Sequence, residues 1–317
     1  MKNEQLLSVK NLKQYFKLDR NTVIKAVDDI SFEIYKGEIF GLVGESGSGK
    51  STTARSILSI YQPTSGNIYY RDKLISNPRI YRAEKRFINR NMQIIFQNST
   101  AALNSRMTVK KIIEEPLLIQ KLYPNKEDRL AKVYELMDLV GLDKVYQDKY
   151  PYECSGGQRQ RIGIARALSL SPEFIIADEP IASLDVSIQA QIINLFKKLQ
   201  QEKGMTCLFI SHDLGMVRYV CNRVAVMYRG KIVEMAETKE LYRNPVHPYT
   251  RTLFASILVP DPSCLKKRNH SKYNQLRDDY WDGENHLLEV SDGHFVLCNS
   301  RQAAEEWIIN WNEYVTI

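Results

Sequence analysis

The sequence has no apolar run near the roughly 18 residues that a membrane-spanning helix needs. That excludes a membrane-spanning chain and leaves any membrane role to partners. Cysteine is scarce. Cys154, Cys207, Cys221, Cys264 and Cys298 are far apart and form no Cys-x-x-Cys pair, which argues against a zinc or iron–sulfur site. Scattered single cysteines fit small buried residues in a reducing compartment. The opening MKNEQLLSVK (1–10) lacks an apolar signal segment, so a cytosolic chain is expected. There is no internal repeat and no low-complexity segment. Lys and Arg exceed Asp and Glu by a net +7, but they are spread along the chain without an RNA-binding aromatic motif beside them. A solubility charge explains them, and no nucleic acid partner is expected.

What is present is a globular composition, 44% hydrophobic and 26% charged, in 317 residues, enough to bury a real core. VIKAVDDISFEIY (23–35) alternates apolar and polar positions and reads as antiparallel strands. Short apolar runs follow: GEIFGLV (37–43), MQIIF (92–96), EFIIAD (173–178), MTCLFI (205–210) and RVAVMY (223–228). Between about 107 and 170 the spacing is mostly helical, as in LAKVYELMDLV (130–140), and Ser187–Leu199 reads as an amphipathic helix. Apolar strands alternating with helices predict an α/β core with a largely parallel sheet. After about residue 258 the chain turns polar, with Pro260 and Pro262 as punctuation, which sets a boundary there.

GESGSGKS (44–51) fits G-x-x-x-x-G-K-[ST] between a strand and a helix, the context that makes it a phosphate-binding loop. Gly44, Gly47 and Gly49 let the backbone turn its N–H groups onto phosphate oxygens. The helix start adds its positive end. Lys50 supplies a point charge for the β- and γ-phosphates, and Ser51 a hydroxyl for Mg²⁺. ATP contacts are expected from Glu45, Ser46, Ser48 and Thr52 as well. Asp178 and Glu179 end a buried strand, where ligands bind in open α/β sheets. Asp178 suits Mg²⁺, and Glu179 suits a base for an attacking water. His212 ends another strand, and Gln97 ends the run IIF.

A second glycine pair, in ECSGGQRQRIGIARAL (153–168), opens a helix of its own. The ordered set of phosphate loop, Gln97, SGGQ (155–158), Asp178-Glu179, SLD (183–185) and His212 resembles the ABC-type ATPases. The resemblance implies a P-loop ABC ATPase fold: a mostly parallel core sheet, an antiparallel β subdomain and an inserted α-helical subdomain at about 98–168. It implies ATP and Mg²⁺ as cofactors, with Ser51, Gln97 and Asp178 toward the metal and Glu179 and His212 catalytic. In that family two cassettes pack head to tail. Ser155, Gly156, Gly157 and Gln158 would then face the partner's ATP, and Ser183 and Asp185 would form a dimer loop. Tyr15 resembles the aromatic that stacks on adenine, with Phe16 as its rival.

Two further stretches resemble the peptide and nickel importer branch: IIFQNSTAALNSRMTV (94–109), and NPVHPYTRTL (244–253) followed by VPDP (259–262). LLEVSDGHFVL (287–297) resembles the second, F-type ATPase of Gram-positive oligopeptide importers. The chain departs from the pattern at Asn98-Ser99 (usually Asp-Pro), Ser105 (usually Pro), Cys154 (usually Leu or an aromatic) and Ala182-Ser183 (usually Ser-Ala). The resemblance implies a nucleotide-binding domain at 1–257 and an extension of peptide-importer type at 258–317. It implies an ATPase energising oligopeptide import from the cytoplasmic face of the membrane. Its partners would be a second ATPase, expected to be a paralogue, two membrane-spanning permeases and an extracellular substrate-binding lipoprotein. The alternatives are nickel, metal-chelate or glutathione cargo, or a soluble ABC ATPase acting on nucleic acid or ribosomes.

Overall fold

The fold is that of a computed structural model, which describes residues 4–19, 21–182, 184–255 and 285–307. The chain opens with two long antiparallel strands, β1 (Gln5–Lys17) and β2 (Val23–Tyr35). The alternating segment 23–35 is thus one continuous strand. Asp28 and Asp29 lie in a bulge of its pairing with β1, and Asp29 has φ +62°. Next come β3 (Ile39–Val43), the helix α1 (Lys50–Ile57), β4 (Ser65–Tyr70) and β5 (Lys73–Leu74). Strands β1, β2, β4 and β5 make a four-stranded antiparallel sheet in the order β2-β1-β4-β5.

The helix α2 (Pro78–Asn91) leads into β6 (Met92–Ile95). Its start follows from local chemistry: Asn77 accepts from the Arg79 and Ile80 amides, and Pro78 occupies the first turn. Then come α3 (Ser99–Ala102), α4 (Val109–Ile119), α5 (Lys126–Leu139) and α6 (Gly156–Leu168), all between β6 and β7 (Phe174–Asp178). Val109, Ile112, Ile113 and Leu117 of α4 and Val133, Leu136 and Met137 of α5 are buried in one core with Ile162 and Ala165 of α6. Their spacing of three and four residues is the amphipathic signal that predicted helices here. Two departures fit without disruption. Asn98 accepts from the Ala101 amide at 3.0 Å, a local turn, and Cys154 is buried with its thiol 3.5 Å from the Tyr150 carbonyl.

The remainder is α7 (Val186–Lys203), β8 (Thr206–Ser211), α8 (Leu214–Val220), β9 (Arg223–Tyr228), β10 (Lys231–Glu237), α9 (Thr238–Arg243), α10 (Pro248–Ala255), β11 (His286–Ser291) and β12 (His294–Cys298). The large sheet runs β11-β12-β10-β9-β3-β8-β7-β6. Its pairs β6–β7, β7–β8, β8–β3 and β3–β9 are parallel, and those from β9 to β11 are antiparallel. Strands β3, β7 and β8 are buried throughout, which is why they read as unbroken apolar runs. The hairpin β11–β12 lies beyond the compositional change at 258, yet it extends this same sheet through β10. Among the described residues no helix is long and apolar enough to cross a membrane.

Candidate functional site

The parallel strands β3, β7 and β8 end together, and each feeds a loop with polar side chains. After Val43 the backbone turns through Gly44 (φ +149°) and Gly49 (φ +109°) before α1 begins at Lys50. Sterics make both glycines obligatory. A Cβ at Gly44 would lie 2.1 Å from the Met227 carbonyl oxygen, and one at Gly49 2.2 Å from that of Ala26. The loop is therefore wedged between the end of β9 and the first part of β2. Gly47, between them, has nothing within 4 Å of its would-be Cβ, so that side of the loop is open.

Lys50 is buried, and its ammonium donates to the carbonyls of Gly44 and Glu45, both at 2.8 Å. Burial pulls its pKa down, while Glu179, Asp178 and Glu45 hold it up. The Lys50 charge thus closes the loop on itself and faces the carboxylates that end β7. Of those two, Asp178 is buried and accepts from the Ser51 hydroxyl at 2.9 Å. Burial raises its pKa, and the Ser51 hydrogen bond opposes that.

Glu179 has φ +48°, uncommon for a residue with a side chain. Its amide donates to the Ile210 carbonyl of β8 at 2.9 Å, which fixes the turn. Its carboxylate collects two side chains from neighbouring strand ends. Gln97 donates to Oε2 at 2.7 Å, and His212 Nδ1 lies 3.3 Å from the same oxygen. So the structure brings Ser51, Lys50, Asp178, Glu179, Gln97 and His212 to one edge of the sheet. Gln97 is bonded to Glu179 rather than to Ser51 or Asp178.

Ser51 and Asp178 offer a hydroxyl and a carboxylate in mutual contact, the hard oxygen donors that suit Mg²⁺. No group of three or more His, Cys, Asp or Glu side chains able to hold a metal occurs among the described residues. A divalent ion here would take its other ligands from phosphate and water, as Mg²⁺ usually does.

The second glycine pair is built differently. Ser155 caps α6 by accepting from the Gln158 amide at 3.2 Å, and the Gln158 side-chain oxygen accepts in turn from the Ser155 amide at 2.8 Å. Gln158 also donates to the Tyr146 hydroxyl at 2.7 Å. Ser155 and Gly156 are exposed, and a Cβ on Gly156 would meet nothing within 4 Å. A Cβ on Gly157 would lie 3.3 Å from Ile188, so this helix start adjoins the start of α7. Asp185 caps α7 through the Ile188 amide at 3.0 Å. Ser183 lies outside the described residues.

Tyr15 and Phe16 both sit near the end of β1 that turns into β2. The Tyr15 hydroxyl donates to Asp28, with Lys25 5.7 Å from the ring centre, and Phe16 packs edge-on against Tyr61 at 5.3 Å. Burial first, then the Asp28 hydrogen bond, pushes the Tyr15 phenol up to about 12. Sequence reasoning missed Tyr249, whose hydroxyl accepts from the Glu45 amide of the phosphate loop at 3.1 Å. Nothing in local spacing could have paired these residues.

The ABC transporter family pattern matches residues 27–182, and the oligopeptide/dipeptide transporter C-terminal region matches 233–278. The oligopeptide transport ATP-binding protein OppF of Bacillus subtilis is 54% identical over 300 residues, covering 94% of this chain and 98% of that one. OppF of Streptococcus mutans is 50% identical, covering 95% and 96%. A dimeric post-hydrolysis structure of the ATP-binding cassette MJ0796, bound to ADP and Pi, superposes with a TM-score of 0.67 at 28% identity, covering 74% of this chain and 99% of that one. The chain belongs to the ABC transporter family, as an ATP-hydrolysing cassette among the oligopeptide transport ATP-binding proteins.

Proposed function

We propose that this chain hydrolyses ATP at the cytoplasmic face of the membrane to drive import of oligopeptides. Similarity to the OppF proteins along nearly the whole chain is the observation that carries the cargo assignment. It works as a head-to-tail dimer with a second, paralogous ATPase, docked on two permeases that receive peptide from an extracellular binding lipoprotein. Nucleic acid has no part in it.

The residues divide the work by position. Lys50 and the amides of residues 44–52 hold the phosphates of ATP, with the aromatic ring of Tyr15 against adenine. Ser51 and Asp178, with Gln97 nearby, would hold Mg²⁺, which would neutralise charge on the phosphate oxygens. Glu179 accepts the proton of the attacking water, the water oxygen bonds to the γ-phosphorus, and the bond to the β-phosphate oxygen breaks to leave ADP. Gln97 and His212 keep the Glu179 carboxylate aimed, which supports its role as the base. The exposed Ser155-Gly156 start of α6 supports the dimer reading, because it leaves a helix N-terminus at the surface where a partner's phosphate could meet it. Asp185, which caps the adjoining helix α7, would line the same dimer contact, and the family resemblance adds Ser183 to it.

The reading is tested by ATP hydrolysis in the reconstituted transporter with its binding protein. Saturating peptide should raise the rate, and nickel should leave it at the basal level. Stimulation by nickel and not by peptide would move the cargo to the other branch.

A further inference from the structure

We propose that Tyr249 is a positioning residue of the phosphate loop, held in place by the chain that follows the cassette. Tyr249 is 2% exposed, and its ring packs against that of Tyr228 at the end of β9, with centres 4.1 Å apart. Its hydroxyl accepts the Glu45 amide, the second amide of the phosphate loop. That bond fixes where the loop leaves β3. The neighbouring residue, Gly44, is confined by the Met227 carbonyl. The two contacts set the path of the loop before its open stretch at Gly47.

A continuous hydrogen-bonded route holds Tyr249. Its amide donates to His247 Nδ1 at 3.1 Å. The His247 and Val246 amides donate to the two oxygens of Glu234, at 3.0 and 2.7 Å. Glu234 is fully buried on β10, and His294 Nε2 of β12 meets it at 2.8 Å. A buried carboxylate needs such partners, and docking of the β11–β12 hairpin adds His294 to the two backbone amides that already hold it. Residues 301–307 close the other side: Trp307 packs edge-on against His247 at 5.4 Å, and its carbonyl accepts from Arg251 at 2.6 Å. The hairpin beyond the cassette is thereby joined to the phosphate loop through Glu234, His247 and Tyr249. Its docking sets how well the loop is formed for ATP.

The inference rests on the phosphate loop being the ATP site. Lys50→Ala measured alongside separates the two, since ATP binding that survives it would undo the site itself. The test compares wild type, Tyr249→Phe, His294→Gln and the double variant in the assembled full-length ATPase, with melting curves on the same samples. Loss of one hydrogen bond predicts that Tyr249→Phe raises KM for ATP about fivefold and changes kcat less than about twofold. His294→Gln, remote from the nucleotide, should raise the same KM. The double variant should raise KM by less than the product of the two single fold-changes. An unchanged KM in folded Tyr249→Phe, or a His294→Gln effect confined to melting temperature, would overturn the proposal. So would fully independent effects in the double variant.

Discussion

Gln97 donates its side-chain amide to Glu179 at 2.7 Å, tying the end of β6 to the end of β7 at the carboxylate expected to take a proton from water. His212 reaches the same oxygen from the end of β8, so three strand ends converge on one group. Glu179→Gln keeps the shape and removes the base. ATP binding should persist, and hydrolysis should slow by roughly 10²–10⁴. Single-turnover hydrolysis measures it, and an unchanged rate would take the role from Glu179.

Lys50→Ala removes the ammonium that spans the Gly44 and Glu45 carbonyls. The charge expected on the β- and γ-phosphates goes with it. ATP binding should be lost, by titration calorimetry against wild type, while binding near the wild-type affinity would take the ATP site away from this loop.

Gly156→Ala separates folding from assembly. A methyl group there meets nothing within 4 Å, and alanine is the better helix former, so the melting temperature should hold or rise. ATP binding by the isolated chain should be unchanged. ATP-driven association with the second ATPase should weaken, because the added Cβ holds the helix start off the partner's phosphate. Sedimentation with ATP reads this directly, and undiminished association would remove the partner contact from Gly156.

His247 predicts a pH dependence. Burial, helped by Arg251, drives its pKa from 6.5 down to about 3. Between those values the unfolded chain binds a proton there and the folded chain does not. Stability is therefore present above about pH 6.5 and falls as pH drops through the window. His247→Asn, which can still accept the Tyr249 amide, should flatten that fall. Melting temperatures between about pH 6.5 and 4.5 check it, and an unaltered slope would place the acid sensitivity elsewhere.

The polar edge of the sheet was legible in the sequence because each motif demands particular residue types at a strand end. Lys50, Asp178, Glu179 and His212 all follow short apolar runs, and the structure gathers them as those runs implied. The helices of 109–168 were legible from apolar spacing. The helix α2 was not: in PRIYRAEKRFINRN only Ile88 is buried, so charge hides its periodicity. The docking of the β11–β12 hairpin was also hidden, since β11 is half exposed and β12 pairs with β10, whose Glu234 faces Val296 across a long stretch of chain. Tyr249 was read only as part of a family tail. Its partner Glu45 is 204 residues away, and a backbone amide leaves no mark in the sequence.

The central claim is that ATP hydrolysis by this chain drives peptide uptake. Labelled-peptide uptake in cells whose own copy carries Lys50→Ala tests it most directly, with labelled nickel given in parallel. The account predicts that peptide uptake is lost and nickel uptake is intact. Peptide uptake that persists while nickel uptake is lost would contradict it.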